Sequence, residues 1–318
     1  MRLEPARKRS LVTGATGFAG RHLLDRLLES SADVVAWANP HGRRAPEGDP
    51  RVRWEQLDLL DRAAVERAIR ESQPSVVFHL AGVPHVGESW RHADHALQVN
   101  ALGTHHVLDG VERGAPGCTV IVAGSALVYR QASHPLREDD PVGPSDPYGV
   151  SKLAQEMLAE RASTAVVRTR PFNHAGPRQR ELFVTSSFAR QIAEIETGRR
   201  EPVLGVGNLD ARRDIMDVRD TVRAYEALAA RGTAGRVYNI CSGTAHRVGD
   251  LLEGLLSLAH VKVTVRQDPA RLRPSDNPLI VGDPGRLAAE TGWRAEIPIE
   301  TTLADLLAWW RTQVSSAP

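Results

Sequence analysis

The sequence predicts a doubly wound α/β protein, in which a parallel sheet is covered by helices on both faces and a smaller lobe is interleaved through the C-terminal half. Three observations predict it. Short apolar runs alternate with amphipathic stretches from the start, the order produced by strands joined through crossover helices. Three glycines stand at three-residue intervals between the first apolar run and the first amphipathic stretch. After Arg170 the alternation breaks into segments marked by Pro and Gly, then resumes near Thr221.

Taken in order, a first strand ends over residues 10–12, a helix follows at 21–29 and a second strand at 34–37. Further strands are expected at 52–57, 76–80, 119–123 and 165–169, with helices at 62–70, 95–111 and 148–161. Connections of this length allow right-handed crossovers between parallel strands. A helix at 221–230 and a strand at 237–240 rejoin the sheet. The expected division assigns residues 1–171 and about 211–243 to one unit, and about 172–210 and 244–314 mainly to the smaller lobe, with residues 315–318 fraying.

A chain of 318 residues can bury a large core without staples. Its 40 Lys plus Arg nearly cancel its 39 Asp plus Glu, so no global field favours nucleic acid or an anionic membrane, and an anionic ligand must be held by local basic residues. Cys118 and Cys241 are too few for a disulfide framework and lack metal-ligand spacing, so both read as small buried side chains and no metal is expected. The charged N-terminus lacks the apolar stretch of a secretory signal, and no run approaches the roughly 18 apolar residues that span a bilayer. A soluble, cytoplasmic protein is expected.

The glycines belong to Leu11-Val12-Thr13-Gly14-Ala15-Thr16-Gly17-Phe18-Ala19-Gly20. Between a strand and a helix, such small residues let the backbone approach a pyrophosphate while the helix N-terminus offers N–H donors. The segment therefore predicts a Rossmann-type dinucleotide site built on Gly14, Thr16, Gly17, Phe18, Ala19 and Gly20. NAD-binding members of this fold often end the second strand with an acid; here Ala36-Trp37-Ala38-Asn39 offers none, and Arg43 and Arg44 follow. Asn39 with these arginines favours NADP(H). NAD(H) stays open, because the two arginines also read as solvated loop charges.

Pro147-Tyr148-Gly149-Val150-Ser151-Lys152 opens a helix on which Tyr148 and Lys152, four apart, share a face. With four Tyr and three Lys in the chain, chance supplies about 0.04 such pairs, so the spacing carries weight. A free phenol titrates near 10, and the adjacent ammonium is expected to pull it toward a useful range. Ser125 follows the fifth strand at the edge where open α/β sheets bind ligands, and its hydroxyl suits a reacting carbonyl oxygen.

Together these residues resemble the extended short-chain dehydrogenases/reductases over essentially the whole chain. The glycine segment, Asp58-Leu59, His79-Leu80-Ala81-Gly82, Asn100 and the set Ser125, Tyr148, Lys152 carry the resemblance. It implies that Asp58 and Leu59 meet the adenine, that Leu80, Ala81 and Gly82 flank the cofactor phosphate and ribose, and that Asn100 supports the central helix. It also implies that Tyr148, Lys152 and Pro171 belong to the cofactor site, and that the helices at 95–111 and 148–161 pair across a two-fold axis to make a homodimer.

The second half, in Arg170-Pro171-Phe172-Asn173-His174-Ala175-Gly176-Pro177, Arg213-Asp214-Ile215-Met216-Asp217 and Gln267-Asp268-Pro269-Ala270-Arg271-Leu272-Arg273, resembles members that reduce a GDP-linked 4-keto-6-deoxy sugar. The resemblance implies a substrate site in which Asn173 meets the sugar diphosphate, Arg213 and Arg273 supply positive charge, Arg190 serves the nucleotide end, Asp276 bonds a ribose or orients an arginine, and Ser125 touches the sugar. His174 reads as a structural or positioning residue. Two departures stand out: Ala126 and Leu127 follow Ser125 where dehydrating relatives carry an acid, which favours plain reduction, and Gly124 and Arg130 replace the more usual Ser and Gly. A nucleotide-sugar 4-epimerase, another ketoreductase and a non-catalytic dinucleotide-binding protein are the competing readings.

Overall fold

Along the first strands, successive apolar side chains point to opposite faces, and both faces are covered. The computed structural model describes residues 9–30, 33–42, 49–84, 86–271 and 277–316. Its first half runs β1 (Arg9–Thr13), α1 (Phe18–Glu29), β2 (Asp33–Ala38), β3 (Val52–Gln56), α2 (Arg62–Ser72), β4 (Val76–His79), α3 (Val86–Ser89), α4 (Ala93–Leu97), α5 (Gly103–Gly114), β5 (Thr119–Ala123), α6 (Pro147–Glu160) and β6 (Ala165–Pro171). The remainder comprises β7 (Asn173–Ala175), α7 (Val184–Glu196), β8 (Val203–Val206), β9 (Arg212–Asp217), α8 (Val218–Arg231), β10 (Val237–Ile240), β11 (Ala245–Arg247), α9 (Val248–Ser257), β12 (Thr264–Gln267), β13 (Leu279–Ile280), α10 (Gly285–Thr291) and α11 (Ile299–Ser316).

Seven strands form one sheet in the order β10-β6-β5-β4-β1-β2-β3, and every pairing in it is parallel. Val12, Ala36, Phe78, Ile121 and Val167 pack on one face against Leu23 and Leu27 of α1 and Tyr225 and Leu228 of α8. Their neighbours Leu11, Val35, Val77, Val120 and Val166 pack on the other against Val65 and Ile69 of α2 and Val107 and Val111 of α5. Burial on both sides is why these strands read as near-continuous apolar runs. This is the doubly wound Rossmann-type fold expected from the sequence. Cys118 and Cys241 are both free and buried.

A separate core gathers Phe188, Ile192, Leu204, Ile215, Leu251, Leu255, Leu306 and Trp310, from α7, β8, β9, α9 and α11. Here β9 pairs with β7, β11 and β13, while β12 pairs with β8. These strands are two to six residues long, too short to announce a period in sequence. Where β9 ends, Asp217 caps α8, accepting from Arg219 N, and binds the Thr302 hydroxyl at 2.7 Å. It thereby pins α11 of the smaller core to a helix of the larger one.

One expected helix is interrupted. The stretch read as a single helix over 95–111 carries a π turn, Gln98–Leu102, between α4 and α5. The extra residue in that turn rotates Asn100 inward, where Nδ2 donates to Ser151 Oγ (2.9 Å) and Oδ1 accepts from Val83 N (2.8 Å). Such a bulge in a helix often marks a functional position.

Candidate active site

The C-terminal edge of the large sheet opens into one cleft of about 2110 Å³ that also reaches the smaller core. Single small-molecule sites are typically about 300–1,000 Å³, so this cleft has room for two ligands end to end.

The glycine turn is shaped by close approach. Gly14 has φ +66°, and a Cβ on it would lie 2.7 Å from Ala81 N. A Cβ on Gly17 would lie 2.9 Å from Gly14 O, and one on Gly20 2.2 Å from the same oxygen. All three positions require glycine. Thr16, Phe18 and Ala19 line the cleft beside them, at the open N-terminus of α1. Asn39 lines it just beyond β2, with its Oδ1 accepting from His41 N at 2.8 Å. Arg43 and Arg44 lie outside the described residues, as do Arg273 and Asp276. Asp58 and Leu59 form the next wall, with Asp58 Oδ1 accepting from Leu60 N (3.0 Å) to shape the turn. Leu80, Ala81, Gly82 and Pro171 complete it. Asn100 does not reach this wall: it is wholly buried behind Gly82 and acts on backbone and on Ser151.

Ser125 caps a short 3₁₀ turn, Ala126–Val128, by accepting from Leu127 N at 3.1 Å. Asp146 caps α6 by accepting from Gly149 N at 2.8 Å, with Pro147 preset at the first helical position. Tyr148 and Lys152 therefore emerge on consecutive turns toward Ser125. Burial pushes the Tyr148 phenol up to about 12, against the pull of its hydrogen bond with Ser125, and the Asp146 charge pushes the same way as burial. Burial pulls Lys152 down to about 7.

This corrects the expected electrostatics. The Lys152 ammonium donates to Ala123 O (2.8 Å) and Gln155 Oε1 (2.9 Å), and it does not offset the desolvation of Tyr148. Loss of hydration dominates both groups, so near neutral pH the phenol keeps its proton.

On the far side of the cleft, Asn173 is exposed at the start of β7, and Arg213 projects from β9. Arg190 lines the cleft too, but its guanidinium is engaged by Glu181 (3.0 Å) and Glu194 (2.7 Å) and lies 5.6 Å from the Trp310 ring centre. Its charge is thus shared with two carboxylates at the place where the nucleotide end of a substrate was expected. Arg271 lines the same region, 3.3 Å from both Asp268 and the Ser187 hydroxyl. Sequence reasoning did not single it out; it named Arg273 of the same segment from the family resemblance, a residue outside the described ones. His174 stacks on Phe18 with ring centres 5.7 Å apart and lies 3.1 Å from Phe172 O through Nδ1, with burial lowering its pKa. A neutral ring donating to a carbonyl ties the glycine turn to β7.

A GDP-6-deoxy-D-mannose reductase of Pseudomonas aeruginosa is 37% identical to this chain over 315 residues, covering 96% of this chain and 98% of the relative. A solved structure of RMD from Pseudomonas aeruginosa complexed with NADPH is 35% identical with a TM-score of 0.82, covering 96% of this chain and 99% of that one. A structure of a putative epimerase from Burkholderia cenocepacia is 30% identical with a TM-score of 0.86, covering 97% and 99%. A family model described as GDP-mannose 4,6 dehydratase matches residues 11–306. With the glycine turn, the Tyr148–Lys152 helix and Ser125 meeting at one cleft in a Rossmann-type sheet, the chain belongs to this GDP-mannose 4,6-dehydratase family of extended short-chain dehydrogenases/reductases.

Proposed function

We propose that the protein reduces the 4-keto group of GDP-4-dehydro-6-deoxy-D-mannose to give GDP-D-rhamnose, using NADPH. The observation that carries this reading is the arrangement of the reaction centre, where Tyr148, Lys152 and Ser125 line the same cleft as the glycine turn. Reduction needs a proton donor at the carbonyl oxygen, and burial keeps the Tyr148 phenol protonated beside Ser125. Elimination of water needs a further base, and Ser125 is followed by Ala126 and Leu127. The 37% identical reductase and the NADPH-bound neighbour support the same substrate and cofactor.

The cofactor fits the residues present, because the glycine turn is a cradle that any Cβ would fill. Gly14, Thr16, Gly17, Phe18, Ala19 and Gly20 would hold the pyrophosphate, Asp58 and Leu59 the adenine, and Leu80, Ala81, Gly82 and Pro171 the remainder. Asn39 in place of an acid, with Arg43 and Arg44 beyond it, favours NADPH over NADH. Bound there, a reduced nicotinamide supplies hydride to the sugar carbon. Tyr148 gives its proton to the developing alkoxide, and Ser125 donates a hydrogen bond to the same oxygen as charge accumulates. Lys152 holds the ribose and lends positive charge to the phenolate left behind. Asn173, Arg213, Arg273 and Asp276 bind the GDP-sugar, with Arg190 at its nucleotide end, and the smaller lobe supplies most of these contacts.

We read the protein as a cytoplasmic homodimer: Leu97, Leu102, Val150 and Met157 are exposed on α4, the π turn and α6, as a shared helix face would require. Incubation with GDP-4-dehydro-6-deoxy-D-mannose and NADPH, with NMR identification of the sugar, tests the activity. Stoichiometric NADPH oxidation with formation of GDP-D-rhamnose is expected; sugar interconversion without net NADPH loss would make the protein an epimerase instead.

A further inference from the structure

Behind Lys152 a chain of buried polar side chains runs from α6 to the glycine turn. Lys152 Nζ donates to Gln155 Oε1 (2.9 Å), and Gln155 Nε2 donates to Thr104 Oγ1 (2.8 Å). His79 lies 2.8 Å from Thr104 Oγ1 through Nε2 and 2.8 Å from Thr13 Oγ1 through Nδ1, and Thr13 Oγ1 accepts from Ala81 N at 3.1 Å. Thr13, His79, Thr104 and Gln155 have no solvent-exposed surface.

One proton sets the direction of the whole chain. Thr104 Oγ1 donates its single hydrogen to Asn100 O (2.6 Å), so it accepts from both His79 and Gln155. His79 therefore carries its hydrogen on Nε2 and accepts from Thr13 at Nδ1. Burial and the Lys152 charge keep that ring neutral, with a pKa near about 3. The Gln155 amide is equally constrained: its NH₂ must face Thr104, which turns its oxygen to Lys152.

We propose that Gln155 is a positioning residue, an amide clamp oriented by Thr104 that holds Lys152 as an ammonium with one N–H directed at the cleft. The inference rests on the proposed function only in taking Lys152 to act as a cation. An ammonium has three donors; Ala123 O and Gln155 Oε1 engage two of them. An oxygen acceptor held at this distance favours the charged form and opposes the burial that lowers Lys152 toward about 7. The other groups around it give little such help. His79 on β4 is neutral, Tyr148 on α6 is protonated, Asp146 caps the start of α6, and Glu156, next along α6, is paired with Arg170.

The chain contains only three lysines, Lys8, Lys152 and Lys262, so lysine-selective ¹³C NMR of the full-length protein reads the Lys152 titration directly, assigned by the signal missing from Lys152→Met. Gln155→Met, similar in volume but without the acceptor, should lower the Lys152 pKa by about one unit, and Gln155→Glu should raise it by about one unit or more. Thr104→Val, which loosens the clamp without touching Lys152, should lower it by less than Gln155→Met and keeps the test open should that variant fail to fold. In turnover assays the alkaline limb of kcat should move in the same directions, with KM within about twofold. An unchanged Lys152 titration, or shifts of the same sign in the Met and Glu variants, would overturn the clamp. Titration is read without any sugar present. Opposite shifts in a protein that reduces no GDP-sugar would therefore refute the reductase reading alone, and unchanged shifts in an active reductase would refute the clamp alone.

Discussion

Tyr148 and Lys152 share one buried wall, and burial moves their pKa values in opposite senses, each toward the neutral form. The phenol is left as a proton donor at neutral pH, the state a ketoreductase needs at the start of its turn. Replacing Tyr148 by Phe should lower kcat about 10³-fold, with NADPH affinity, read by fluorescence, within about twofold. For Lys152 the consequence is a pH-dependent cost. Its folded pKa near about 7 lies below the ordinary lysine value of 10.5, so between these pH values the unfolded chain binds the extra proton and stability rises with pH. Below about 7 the fold carries a buried charge. Comparing melting temperatures of the parent and Lys152→Met from pH 6 to 9, we expect the parent to gain on the variant as pH rises; a constant gap would contradict the shift.

At the scale of elements, α6 carries both the reacting groups and their alignment. Its N-terminal cap, Asp146, accepts from Gly149 N and also raises the Tyr148 pKa by its charge. The two roles separate by substitution. Asp146→Asn keeps a capping oxygen and should lower the Tyr148 pKa, seen in the ultraviolet absorbance of tyrosinate, while Asp146→Ala should also cost about 1 kcal/mol in urea unfolding. Further along, Glu156 and Arg170 form a buried two-bond ion pair (2.9 and 2.5 Å) that fastens α6 to β6, with Arg170 stacked 4.5 Å from the Tyr129 ring centre. Glu156→Ala strands that guanidinium in a low-dielectric setting and should destabilise the protein by about 3–5 kcal/mol. The π turn at Gln98–Leu102 belongs to the same design, since it brings Asn100 against Ser151 on the inner face of α6.

For the whole molecule, the cleft exists because two cores meet along one edge of the sheet, and Asp217 bonds α8 of one core to Thr302 of the other. The apolar side chains left on the outer face of α4 to α6 bear on assembly. If the proposed homodimer uses them, Val150→Glu combined with Met157→Glu should halve the mass measured by light scattering while leaving the melting transition cooperative. An unchanged mass would remove that face from consideration.

The glycine spacing, the Tyr148–Lys152 interval, the strand and helix order of the first half and the small buried cysteines were all determined by the sequence alone. Each depends on local backbone geometry or on a short-range period that the chain displays directly. Tertiary structure decided the rest, because the partners come from distant segments. It set the π turn under Asn100, whose bonds reach Val83 and Ser151; the ion pairs of Arg190 with Glu181 and Glu194; and the place of Arg271 in the lining of the cleft. The protonation of Tyr148 and Lys152 also lay beyond sequence, since a four-residue interval reports that two groups are near but not how much water surrounds them. Desolvation is a property of the packed environment, and here it outweighs the attraction that the interval suggested.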